Sequence, residues 1–208
     1  MKRALSLATL ALLAACQGQG PKAEQPGPQP GGAQTNDPQP GGAQTGATRD
    51  TSATPAPLHG RFDTQFAGTP APDLLLETTA EGATERVADI LKANPGQPLL
   101  VNLWATWCAP CLKELPTLDR LAAETKGKLV VVPISQDMEG WRKVSDTFTA
   151  ARYPNLSTRV ESQMQFGFKA GARGLPLTIL YGADGREVWR YAGDRDWSSA
   201  ESRAKLGI

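Results

Sequence analysis

The chain has 208 residues, with 22 Lys and Arg against 21 Asp and Glu, a single histidine, and a formal net charge of +1. That balance offers no basic footprint for nucleic acid or for an anionic lipid surface, and it excludes both as electrostatic partners. Only three cysteines are present, so with one histidine the supply of soft metal ligands is short.

In chain order, Lys2 and Arg3 precede an apolar run from Ala4 to Leu13, too short to cross a hydrocarbon core of roughly 30 Å. This is the pattern of an export signal over residues 1–15. It ends in Leu13-Ala14-Ala15-Cys16, which resembles a bacterial lipobox and predicts lipid attachment at Cys16 after cleavage. Each buried methylene of the acyl chains adds about 0.8 kcal/mol, so the attachment to the membrane is expected to be permanent. Gln17 stands where an inner-membrane retention signal carries Asp, which points to the outer membrane and a periplasm-facing protein. Loss of Lys2 and Arg3 leaves the acids one ahead of the bases.

Residues 16–60 are rich in Pro, Gly, Gln, Thr and Ala, and the octet Pro28 to Thr35 recurs as Pro38 to Thr45. With so little apolar surface to bury, the segment is expected to be a disordered tether spanning roughly 35 to 40 Å. Residues 61–208 then read as one domain with a single core. Leu99 to Trp104 and Leu129 to Ile134 are nearly continuous apolar runs that suit buried strands, the second closing near Pro133. Between them, from Cys111 to about Thr125, Leu112, Leu115, Leu118 and Ala122 recur at helical spacing, so the unit predicts a right-handed parallel crossover. Helices are expected at Glu139 to Ala151, Val160 to Ala170 and Trp197 to Lys205, with a weaker strand at Leu74 to Leu76. Leu177 to Tyr181 and Glu187 to Tyr191 flank an Asp184-Gly185 pair, a strong hairpin signal.

With Cys16 assigned to lipid, Cys108 and Cys111 remain, in an oxidising compartment. A CxxC where a strand turns into a helix puts Cys108 at the helix N-terminus, where free backbone N–H groups and the dipole favour a thiolate. Cys111, one turn on, would release the mixed disulfide. Three other readings stand beside this one. A zinc site needs about four ligands, and only Cys16 and His59 could add to the pair. A purely structural disulfide would close a very small loop and gain little. A copper(I) site on both thiolates is allowed chemically, with no Met or His close in sequence to assist.

Asn102 to Cys111, followed by Glu114 and Pro116, is similar to the active-site segment of the TlpA/ResA branch of thioredoxin-like proteins, and Gly171 to Pro176 resembles the loop before that family's cis-proline. The resemblance covers most of residues 61–208. It implies an α/β thioredoxin-like fold, a central mixed sheet with helices on both faces. It also implies that Pro176 is the cis-proline facing the thiols, leaving the backbone of Leu175 to pair with an extended substrate. Glu114 would then handle the proton of Cys111, the alternative being a solvated acid on the helix face. Asn102 occupies the place of the buried acid of ordinary thioredoxins. Trp104 and Trp107 would surround the thiols or serve packing alone, and Pro116 would kink the helix.

The expected function is a cell-envelope thiol-disulfide oxidoreductase that reduces protein disulfides with no cofactor beyond the Cys108-Cys111 pair. Its expected partners are disulfide-containing envelope proteins and a membrane thiol electron donor. By family analogy the targets include apocytochrome cysteines, in cytochrome c biogenesis, or copper-assembly proteins. An oxidase or isomerase, or a copper(I) carrier without turnover, remain as rivals.

Overall fold

The computed structural model describes residues 59–207. The predicted signal, Cys16 and the linker as far as residue 58 lie outside the described residues. In chain order the elements are β1 Phe62–Asp63, β2 Leu76–Glu77, β3 Thr84–Glu85, α1 Val87–Ala93, β4 Leu99–Trp104, α2 Ala109–Glu124, β5 Val130–Ser135, α3 Trp141–Thr147, β6 Arg159–Val160, α4 Gln165–Lys169, β7 Leu177–Tyr181, β8 Glu187–Ala192 and α5 Ala200–Leu206.

The strands form one mixed sheet in the order β1-β8-β7-β4-β5-β6-β2-β3. β4 and β5 are parallel and joined through α2, while β4 and β7 run antiparallel. This is the thioredoxin-like α/β architecture. β4 is buried along its whole length, because both faces of the sheet are covered. Its alternate side chains divide the core: Leu100 and Trp104 join Leu115, Leu118 and Leu121 of α2, whereas Leu99, Val101 and Leu103 join Val87 and Ile90 of α1 and Phe166 of α4. Helices therefore lie on both faces.

Three expectations change in detail. β5 runs through Pro133 to Ser135, where the proline sits opposite Asn102 of β4. The segment predicted as a helix from Val160 opens instead with β6, and only Gln165–Lys169 is helical, because Met164 takes a left-handed conformation with φ of 56° at the helix start. The helix expected to reach Ala151 stops at Thr147. α1 and the short strands β1 and β3 had no signal in the periodicity. Among the described residues, no helix is long and apolar enough to cross a membrane.

Candidate active site

β4, an interior strand, ends at Trp104, and the loop 105–108 turns the chain into α2. Pro110 in the first turn of α2 suits a helix start, since its missing N–H would have no partner there. Cys108 is the N-cap residue, with extended backbone, and its Sγ accepts the Cys111 N–H at 3.3 Å. Cys108 and Cys111 are joined as a disulfide, with Cα atoms 5.3 Å apart. The loop before them is tied down from β5: Asp137 accepts the Thr106 N–H at 2.9 Å and the Thr106 hydroxyl at 2.7 Å, and a further hydrogen bond from Ser135 Oγ at 2.7 Å. Asp137 itself is buried.

The two tryptophans part company. Trp104 is wholly buried and donates its indole N–H to Thr158 Oγ1 at 3.0 Å. Trp107 is 66% exposed beside Cys108 and lines, with Met164, Phe168 and Leu175, a groove of about 420 Å³. Across the groove the Leu175–Pro176 peptide is cis. Leu175 is half-buried and packs against the core cluster that holds both cysteines.

The carbonyl of Pro176 accepts the Gly193 N–H at 3.0 Å. Gly193 has φ of 109°, and a Cβ there would come within 2.8 Å of the His59 ring, so only glycine lets the imidazole lie this close. His59 thus lines a cavity of about 200 Å³ with Leu175 and Pro176. Nothing in its sequence position at the linker's end marked it as a neighbour of this loop.

Glu114 is not a solvated acid. The buried stripe of α2 is Cys111, Glu114, Leu115, Leu118 and Leu121, which places the carboxylate against the sheet one turn beyond Cys111. Asn102 Nδ2 donates to Glu114 Oε1 at 2.7 Å and also to Thr178 Oγ1 at 3.0 Å, the residue paired with it across β4 and β7. Trp197 Nε1 and the Arg195 N–H donate to Glu114 Oε2 at 3.0 and 3.1 Å. Burial pushes the Glu114 carboxyl up to about 7, against the lowering effect of those three donors, and the negative charge of Asp194 adds to the rise. A carboxyl so placed can take or give a proton near neutral pH. Trp197, read only as the start of a helix, and Arg195, in the stretch before it, were invisible as site residues in sequence, being more than 80 positions from Glu114. Among the described residues, no three His, Cys, Asp or Glu side chains are grouped as a metal site requires.

The sequence model of the thioredoxin family matches residues 79–175. Thiol:disulfide interchange protein DsbE of Vibrio cholerae is 29% identical over 140 residues, 66% of this chain and 72% of that protein. A thioredoxin of Mycolicibacterium smegmatis is 32% identical over 98 residues, 47% of this chain and 75% of that protein. Among solved structures, a Chlorobium tepidum protein assigned as thiol:disulfide interchange protein DsbE superposes with a TM-score of 0.57 over 68% of this chain and 96% of its own, at 22% identity, a likeness of fold.

Proposed function

Since the chain belongs to the thioredoxin family and is a thiol-disulfide oxidoreductase, we propose that it reduces disulfides in cell-envelope proteins, as a lipoprotein of the TlpA/ResA branch held to the membrane through Cys16. The observation that carries the reading is the Cys108–Cys111 pair at the start of α2 with a buried carboxyl one turn beyond it.

In the reduced protein the Cys108 thiolate, favoured by the helix N-terminus, attacks one sulfur of a substrate disulfide, and the other substrate sulfur leaves with the electron pair. Glu114 takes the Cys111 proton, and the Cys111 thiolate attacks Cys108 Sγ. The second substrate thiolate is released and the Cys108–Cys111 bond closes, so two electrons pass to the substrate. The cis Leu175–Pro176 loop offers the Leu175 backbone to an extended substrate strand, with Trp107 covering the apolar groove beside it. A membrane thiol donor returns the pair to the dithiol. Apocytochrome cysteines and copper-assembly proteins are the target classes that the TlpA/ResA resemblance implies.

The purified protein is expected to reduce insulin disulfides in the presence of a dithiol, and Cys108→Ala to abolish that activity. Cys111→Ser should stall on Cys108 as a mixed disulfide that captures the envelope target. Activity retained without Cys108 overturns the reading. A reduction potential near the roughly −120 mV of a strong oxidase would reverse the direction of electron flow.

A further inference from the structure

The resolving step needs the Glu114 carboxylate held in one place, and most of that hold comes from a segment far away in sequence. Oε2 faces the stretch between β8 and α5, receiving the Trp197 indole N–H and the Arg195 backbone N–H. Thr117 locks this stretch to α2 in register: its hydroxyl donates to the Glu114 carbonyl at 2.7 Å and accepts the Trp197 backbone N–H at 3.1 Å. The indole is itself immobilised. Trp197 is fully buried, stacked on Trp189 at 6.3 Å and edge-on to Tyr191 at 5.8 Å. The Arg195 side chain turns away to Ser202 and Glu201 of α5. Such a donor is preorganised, and it costs no rearrangement when charge develops on the carboxyl.

We propose that Trp197 is a positioning residue for the resolving half of the exchange, its indole N–H holding the Glu114 carboxylate as the acceptor of the Cys111 proton. This inference rests on the role given to Glu114 above. In the step it serves, the Cys111 Sγ–H bond breaks and the proton passes to Glu114. The thiolate then forms the Cys108–Cys111 bond, and the substrate sulfur departs with the electrons of the broken mixed disulfide.

The charged and titratable groups around Glu114 are few. On α2 they are Cys111 and Lys113, and from the stretch after β8 they are Asp194, which pairs with Lys113 at 2.9 Å, and Arg195. β4 and β7 contribute the neutral Asn102 and Thr178. Trp197 is therefore a neutral donor able to favour the ionised carboxyl without itself titrating.

The test follows the two phases of thione release when the reduced full chain meets a dipyridyl disulfide, the first from Cys108 attack and the second from Cys111. Trp197→Phe keeps the aromatic packing and removes the N–H. A hydrogen bond to a charged group is worth about 1.5 kcal/mol, which converts to a second phase about tenfold slower near pH 6, recovering as the pH rises to about 8.5. In a Glu114→Gln background the same substitution should change the second phase less than about twofold. Slowing that is equal at every pH, or that persists fully in the Glu114→Gln background, overturns the inference. A Glu114→Gln protein with an unaltered second phase removes the acceptor role and this inference with it, whereas an effect of Glu114→Gln without one of Trp197→Phe removes only the inference. Should Trp197→Phe fail to fold, the Trp197 indole N–H resonance of the wild-type protein decides: it is expected to titrate with the second-phase midpoint and to lose that titration in Glu114→Gln. A pH-independent resonance refutes the proposal.

Discussion

At Glu114 burial and hydrogen bonding pull in opposite directions, and burial wins. A buried carboxylate with three donors and no cation in contact is less favourable than an acid in water, so its carboxyl rises to about 7. Between the unfolded value near 4.5 and 7, the folded chain binds more protons than the unfolded one. The stability contributed by neutral Glu114 is therefore complete below about pH 4.5 and is lost as the pH rises through about 7. The full span corresponds to something on the order of 3 kcal/mol. Glu114→Gln should remove this slope, so that urea denaturation shows the variant gaining on the wild type between about pH 5 and pH 8. Parallel pH profiles for the two proteins would mean that Glu114 is ionised throughout.

Among the elements, α2 carries most of the chemistry, but its geometry depends on what holds its first residue. The loop before Cys108 has no regular structure, and Asp137, two residues past the end of β5, supplies its tie through Thr106. Asp137→Ala strands the Thr106 N–H and leaves Ser135 Oγ without its acceptor, so a loss of about 3 kcal/mol is expected in the denaturation midpoint at unchanged m. The rate of the first thione phase should fall with it, because Cys108 is no longer held as the N-cap. Loss of stability with an intact first phase would show that the loop keeps its shape unaided. Element identity was readable wherever one periodicity dominated: β4, β5, α2 and the β7–β8 hairpin all stand close to their expected bounds. It failed where a single residue changed the local rule. Met164 in the left-handed region breaks the apolar pattern from Val160 into β6 and α4, and no spacing argument registers that.

On the scale of the whole molecule, thermodynamic linkage makes any difference in folding stability between the disulfide and dithiol forms appear in the reduction potential. For this two-electron couple about 30 mV corresponds to 1.4 kcal/mol. A reductant is stabilised as the disulfide, whereas a strong oxidant is stabilised as the dithiol. Reduction of the chain should therefore lower Tm, by about 4 °C for each 1.4 kcal/mol in a domain of this size. A higher Tm in the reduced form would assign the protein to disulfide formation.

The linear order of residues determined the two thiols, the strand and helix between which they sit, and the loop ending at Pro176, because each is a contiguous run whose spacing is its own signal. It also carries the lipobox-like pattern at Cys16, which lies outside the described residues. What only the tertiary structure decided was the surroundings of those groups. Whether Glu114 faces water or the sheet depends on how α2 turns onto β4. His59 reaches the Pro176 loop through pairing with Ala192. Trp197 reaches Glu114 because the chain after β8 folds back over α2. Burial and donor placement are properties of contacts between distant segments, and local periodicity contains no term for them.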